Sequence, residues 1–298
     1  MPAATGAQGA SGVALGGDGS PVIGRITPGA LASFLRRLPG AVENWPEVLA
    51  RLSLSSAGVK RGDITTRLRS GTTIVSPPSR PAWWPIFEMF VEDVYHLSGL
   101  GDVRLGEGDV VLDLGAHIGA ASLLFAGRWP AASLVCVEPN PATFSYLQAN
   151  LRANATRAVA RNEAVGNTDG TTTLFGVDEA SCEASTSTHR PGSSLEVPVV
   201  AFERLMAEAP GPVRVVKLDC EGAEHEVLAA SSPELWRDVE VVLLEYHRTE
   251  DPESTWPATE ARVRALGFET SWQMPFDWYP GLGMAGFRRA RRGDGEVG

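Results

Sequence analysis

The chain predicts an α/β fold, with a mostly parallel sheet, helices on both faces and a helical extension in front of it. Three observations carry this. Short apolar strands alternate with stretches of helical spacing through the second half of the chain. One of those strands, residues 110–114, runs into a glycine turn that opens directly into Ala120, Ala121, Leu124 and Phe125 at helical spacing. The last apolar runs, 268–272 and 282–287, read as a closing hairpin.

Bulk properties narrow the class. The 298 residues are 43% hydrophobic, enough for a sizeable core, and a formal net charge of −10 disfavours binding along a phosphate backbone. The basic group Arg288, Arg289, Arg291 and Arg292 reads as a solvated end. Cys136, Cys182 and Cys220 form no Cys-x-x-Cys pair and read as reduced thiols. No stretch has the apolar length of a membrane span, and no basic region followed by an apolar run opens the chain. A cytoplasmic, soluble protein without nucleic-acid or membrane partners is expected, as a monomer or a homodimer.

Taken in order, residues 1–24 are rich in Gly, Ala and Ser and are expected to be a disordered tail. Residues 25–85 form a helical cap: Leu31, Phe34, Leu35 and Leu38, then Val42, Trp45, Val48, Leu49 and Leu52, repeat at helical spacing on either side of Pro39-Gly40. A polar segment, 60–69, follows. The main domain, 86–290, starts with a helical pattern through Ile86 to Tyr95. It continues with strands at 110–114, 133–138, about 158–165, 213–219 and 239–245, and helices beginning near 119, 141, 222 and 257. The Ser/Thr-rich run 181–194 is a loop long enough to be functional or disordered. Residues 291–298 are a second tail.

The glycine turn reads Asp113-x-Gly115-x-x-x-Gly119. A dinucleotide fingerprint has glycine at the first of these places. A carboxylate there repels a pyrophosphate but suits a ligand with an ammonium group, and the glycines let backbone approach a ligand. This stretch looks like the first motif of the S-adenosylmethionine methyltransferases. About 20 positions on, the next strand ends in Glu138-Pro139-Asn140. Glu138 is placed to accept from both hydroxyls of a ribose, whereas Asn140 suits a helix cap. The third strand ends at Glu163 and Ala164, where an adenine would border it or an ordinary turn would begin. The strand through Val215 and Val216 ends at Asp219 and Glu221, and the next presents Glu245 and His247 on one side by strand alternation. Two neighbouring strand tips therefore bring Asp219, Glu221, Glu245 and His247 to one crevice.

The succession Asp-Leu-Gly-Ala-x-Ile-Gly, Val-Glu-Pro-Asn-Pro, Asn-Glu-Ala-Val-Gly, Val-Lys-Leu-Asp-Cys-Glu-Gly-Ala-Glu and Leu-Glu-Tyr-His, over residues 86 to 287, closely resembles the FkbM family of S-adenosylmethionine-dependent methyltransferases. The resemblance implies a class I methyltransferase fold, Rossmann-like with seven strands. It also implies S-adenosylmethionine as cofactor, and transfer to a hydroxyl of a secondary metabolite or sugar. It assigns the cofactor to Asp113, Gly115, His117 (where many relatives have Asn), Gly119, Glu138, Pro139, Asn140, Glu163, Ala164 and Asp219.

An alcohol is a poor nucleophile at neutral pH, so a base is needed. His247 is the first choice, with Asp219 or Glu245 orienting it or acting directly, and Glu221 and His225 beside the acceptor. A carboxylate acceptor needs no base but a cation, for which Lys60, Arg61, Arg67 and Arg80 are available. Asp219, Glu245 and His247 also have the chemistry to ligate Mg²⁺ or Mn²⁺, a reading held below the metal-free one. The remaining alternatives are a non-catalytic cofactor-binding module, an NAD-dependent oxidoreductase, disfavoured by Asp113, and RNA methylation, disfavoured by the acidic charge.

Overall fold

The computed structural model describes residues 28–59, 62–177, 193–275 and 282–290, with 28–33 and 275 by backbone alone. The expected tails, most of the Ser/Thr-rich run, Cys182, Lys60, Arg61, Arg291 and Arg292 lie outside the described residues. The extension folds as α1 (Pro28–Ala41), α2 (Trp45–Ser56), a hairpin of β1 (Ile64–Arg67) and β2 (Thr73–Ser76), and α3 (Arg80–Phe87). A single π-helical turn, Glu88–Glu92, continues α3.

The expected helical extension is present as α1, α2 and α3, and the hairpin is an addition to it within the segment read as polar. Ile64-Thr65-Thr66 is a β-branched run whose alternate residues Ile64 and Thr66 are buried, so it pairs as a strand. Nor does the extension stand apart from the main core. Leu38, Val48, Ile64, Ile74 and Trp83 belong to the same buried cluster as Val111 and Leu134 of the sheet.

The main domain adds β3 (Val110–Leu114), α4 (Ala120–Arg128), β4 (Ser133–Val137), α5 (Pro141–Ala153), β5 (Ala158–Arg161), β6 (Ala164–Gly166), β7 (Gly170–Phe175) and β8 (Ser194–Ala201). It continues with α6 (Phe202–Glu208), β9 (Val213–Leu218), α7 (Glu224–Ala230), β10 (Val241–His247), α8 (Trp256–Ala265), β11 (Phe268–Pro275) and β12 (Leu282–Arg289). Seven strands form one sheet in the order β11-β12-β10-β9-β3-β4-β5. It is parallel from β10 to β5, while β12 runs antiparallel between β10 and β11.

Alternation divides the strands between two cores. Leu134 and Cys136 of β4 pack on the face covered by the extension, α4 and α5, and Val135 and Val137 on the face covered by α6, α7 and α8. Burial on both sides explains why these strands are almost uninterrupted apolar runs.

The extension is also tied down by hydrogen bonds. Asn150 of α5 accepts from Val75 N at 2.8 Å and donates to Val75 O at 2.9 Å, and Asn154 makes the same pair with Thr73 at 2.9 and 2.7 Å. Two amides on one helix face, four residues apart, thus satisfy the backbone groups of a strand edge.

The expected third strand is split. Asn162 leaves the ladder and donates to the carbonyls of Glu138 and Pro139, so β5 stops at Arg161. β6 then joins a separate three-stranded sheet with β8 and β7. From β3 the chain builds outward through β4 and β5, then returns to place β9 on the other side of β3. The reversal opens a crevice beyond the carboxyl ends of these strands.

Candidate functional site

Two groups of residues meet at that crevice, and Lys217 lies between them. Its side chain is buried inside β9, where the apolar pattern would place an aliphatic residue. Its Nζ lies 3.1 Å from Asp113 Oδ1 and 3.2 Å from Asp219 Oδ2, and donates to Gly115 O at 2.8 Å. Burial alone would depress this ammonium's pKa, but Asp113 and Asp219 outweigh it and hold the pKa above its ordinary value.

Asp113 is fully buried, with Ser122 Oγ donating to its second oxygen at 2.6 Å. The expectation that Asp113 receives a ligand ammonium is therefore corrected: the carboxylate faces Lys217, and its effect on the crevice passes through that lysine.

The glycine turn is shaped first by the protein's own backbone. Gly115 has φ +77°, and a Cβ there would stand 1.7 Å from the carbonyl oxygen of Asp219. Gly119, at φ +90°, would place a Cβ 2.9 Å from Leu147 Cδ1. Both glycines are required to bring the β3 turn against its neighbours.

His117 adopts φ +50° within the turn, and its backbone N–H donates to Glu138 Oε2 at 2.9 Å. The other Glu138 oxygen accepts from Asn140 N at 2.8 Å. Burial raises the Glu138 pKa to about 7 in spite of these two bonds, and lowers that of His117 to about 4, so the His117 ring is neutral at pH 7. Asn140 caps α5 by accepting from Ala142 N at 3.0 Å. His117 Nδ1 and Asn140 Nδ2 are buried and have no hydrogen-bond partner among the described residues.

At the next strand, Glu163 is paired with Arg161 at 2.7 Å and remains partly accessible. Ala164 is buried in β6 with Leu174 and Val197.

The second group surrounds His247. Glu224, which the sequence reading passed over, is fully buried. Its Oε1 accepts from His247 N at 2.8 Å and lies 3.2 Å from His247 Nδ1, while its Oε2 accepts from Gly222 N at 2.8 Å. His247 Nε2 then faces Glu245 at 3.6 Å and Glu221 at 3.7 Å. Burial works against an imidazolium here, but Glu221, Glu224 and Glu245 overcome it and hold the pKa of His247 well above its ordinary value. These carboxylates favour the imidazolium and so work against the role of base expected for His247 from the sequence. Burial, then the nearby Asp219, pushes the Glu245 carboxyl well above the usual range, while Glu224 is held below it because His247 outweighs its burial.

His225 is also corrected. It is buried, with Nε2 2.6 Å from His247 O and Nδ1 3.3 Å from Thr259 Oγ1, and its ring packs edge-on against Tyr246. Nε2 ties α7 to β10 and Nδ1 ties it to α8, and neither is presented to an acceptor.

The extension contributes the opposite wall. Glu88, at the start of the π-helical turn, accepts from the partly exposed Trp84 Nε1 at 2.7 Å. Burial raises its pKa to about 7, with Asp219 and Glu92 adding to the rise. The signal available for Glu88 was an acidic residue within an otherwise apolar helical run. Among the cations considered for a carboxylate acceptor, Arg67 pairs with Glu47 at 3.6 Å and Arg80 is solvent-exposed at the start of α3. The thiols of Cys136 and Cys220 are raised by burial, which leaves them poor nucleophiles.

Residues 113–270 match the family model described as Methyltransferase FkbM domain. "Methyltransferase 1" of Beauveria bassiana is 25% identical over 215 residues, covering 65% of this chain and 83% of the relative. "31-O-demethyl-FK506 methyltransferase FkbM" of Streptomyces tacrolimicus is 25% identical over 235 residues, covering 68% and 88%. Among solved structures, the methyltransferase FkbM from Methylobacillus flagellatus is similar at 16% identity with a TM-score of 0.46, over 64% of this chain and 46% of that one.

Proposed function

The chain belongs to the FkbM methyltransferase family and is an S-adenosylmethionine-dependent methyltransferase; from that premise we propose that it methylates a hydroxyl oxygen of a neutral or cationic small molecule of secondary metabolism. Family membership sets aside the oxidoreductase and the non-catalytic module.

The observation that carries the choice of acceptor is the charge of the crevice. Asp219, Glu221, Glu245 and Glu88 act on one another there, while the Lys217 ammonium is committed to Asp113 and Asp219. A carboxylate acceptor would enter against this field, which favours the hydroxyl. The Streptomyces tacrolimicus relative is named for methylating 31-O-demethyl-FK506, which agrees with an oxygen acceptor.

The residues fit the cofactor. His117 Nδ1 and Asn140 Nδ2 are orphaned buried polar atoms on either side of Glu138, and a ligand reaching across these positions would satisfy both. In this reading the Gly115–Gly119 turn with His117 holds the methionine end. Glu138 takes the ribose hydroxyls, Pro139 and Asn140 flank the adenosine, and Glu163 borders the adenine. Asp219 closes the methionine side.

When bound, S-adenosylmethionine would supply an electrophilic sulfonium methyl, with the neutral thioether as leaving group. The acceptor oxygen forms the new C–O bond, and its proton goes to Glu88. That carboxyl, held near pKa 7 with one oxygen fixed by Trp84, is poised for transfer close to neutral pH. Asp219, Glu245 and His247 bind the reacting end of the acceptor, and the exposed face of Trp84 offers it a surface to stack on.

Incubation with S-adenosylmethionine and a panel of hydroxy acids, sugars and polyketide alcohols, read by product mass spectrometry, tests this. Methyl ethers of neutral or cationic alcohols are expected. Methyl esters of carboxylic acids as the main products would overturn it.

A further inference from the structure

Asp219, Glu245 and His247 each offer one ligand atom, and these atoms lie within 4.8 Å of one another. We infer that the three residues hold a divalent cation of the Mg²⁺ or Mn²⁺ class, on which the acceptor oxygen is also bound. The location of the acceptor rests on the hydroxyl reading above; the cation site does not.

The backbone sets up the trio. Glu245 and His247 are two apart on β10 and share a face, and Asp219 closes the neighbouring parallel strand, β9. His247 Nε2 and Glu245 Oε1 are 3.6 Å apart, too far for a hydrogen bond. Two ligand atoms each about 2.1 Å from one octahedral ion are separated by roughly 3 to 4 Å, depending on the vertices they occupy. Two carboxylates and one imidazole favour a hard or borderline ion over a thiophilic one.

Two further observations point to an ion and not to a bare acidic patch. The first is Tyr95, whose side chain is 1% exposed and whose hydroxyl has no hydrogen-bond partner among the described residues. After burial itself, the charges of Asp219 and Glu245 act on it most strongly. A buried hydroxyl without a partner is unfavourable, and a water ligand on an ion between those carboxylates would supply one. The second is Glu224, which engages His247 at Nδ1 from behind and turns Nε2 outward. Such a carboxylate behind an imidazole fixes the tautomer and orientation that a ligating histidine needs.

The chemical consequence is a better nucleophile. An alcohol oxygen bound to a divalent cation loses its proton more readily, and its electron pair is held in place for attack on the methyl carbon. The same ion offsets the mutual repulsion of Asp219 and Glu245.

The test is Mn²⁺ titration of chelator-treated full-length protein, following loss of the free-ion electron paramagnetic resonance signal, with Mg²⁺ as competitor. One equivalent bound at sub-millimolar affinity is expected. Glu245→Gln and Asp219→Asn should weaken binding by at least tenfold, and Glu224→Gln by about tenfold. Glu221→Gln, outside the trio, should retain it. Far-UV circular dichroism and thermal melting identify the variants that remain folded, and only those are compared.

Absence of Mn²⁺ binding by the wild type overturns the inference, as does equal weakening by Glu221→Gln and Glu245→Gln, which would mark a diffuse acidic patch. Hydroxyl methylation at full rate in chelator would also overturn it while leaving the proposed function intact. Mn²⁺ binding by a protein that methylates only carboxylates would do the reverse.

Discussion

Lys217 Nζ lies 3.1 Å from Asp113 Oδ1 inside the sheet, with the two side chains 2% and 0% exposed. Removing one partner of such a pair leaves a buried charge uncompensated, which costs about 3–5 kcal/mol. Lys217→Met is therefore expected to lower unfolding free energy by that order in urea titrations. A loss below about 1 kcal/mol would show that the pair does not hold the two strands together.

Gly115→Ala places a methyl group 1.7 Å from the Asp219 carbonyl, at a φ of +77°. Strain and overlap together should cost about 3 kcal/mol and displace the turn. Calorimetry is expected to show loss of S-adenosylhomocysteine binding even where circular dichroism reports a folded chain. Wild-type affinity in this variant would mean that the turn tolerates the opening of the β3–β9 contact.

Glu224→Gln keeps the size of the side chain but removes the charge that orients His247. Turnover should fall about tenfold or more, while S-adenosylhomocysteine affinity stays within about twofold. If kcat were unchanged, Glu224 would be no more than a packing residue. A parallel loss of cofactor affinity would place its effect on the fold.

Glu88 gives a pH signature. Its pKa in the folded chain, about 7, exceeds its ordinary 4.5 because burial disfavours the carboxylate, with Asp219 and Glu92 contributing. A raised folded pKa contributes stability below pH 4.5, and that contribution is lost as pH rises through about 7. In chelator-treated protein, the melting temperature of Glu88→Gln should therefore gain on the wild type between pH 5 and 7 and keep its lead above. A difference that does not vary with pH would remove Glu88 from the titrating groups with a raised pKa. The same variant should lose about 100-fold in kcat if Glu88 takes the acceptor's proton.

Much of the sheet was legible because parallel strands buried on both faces announce themselves as apolar runs, and glycines mark the turns that need positive φ. The crevice was legible in outline for a related reason: strand alternation puts Glu245 and His247 on one side without knowledge of the rest.

What escaped the sequence was direction. Asp113 and Asp219 look alike as strand-tip carboxylates, yet Lys217 draws Asp113 wholly inside and leaves Asp219 at the crevice. Glu224 and His225 are neighbours at the start of a short helix, and only the tertiary arrangement shows that Glu224 serves His247 while His225 is used up between β10 and α8. The break between β5 and β6 depends on Asn162 finding the carbonyls of Glu138 and Pro139 just beyond β4, a long-range contact that no local pattern announces. The β1–β2 hairpin was hidden for a similar reason. A four-residue strand beside polar residues carries little signal until Asn150 and Asn154 meet its edge.

The place of β12 has a consequence for how the protein is made. This strand, Leu282–Arg289, is the last described element, yet it lies between β10 and β11. During synthesis the β10 edge has no partner until β12 has been made, although β10 itself precedes it by more than thirty residues. Folding is thus completed only after translation has passed residue 289, and a ribosome stalled shortly before that point should hold a chain open to chaperones and proteases.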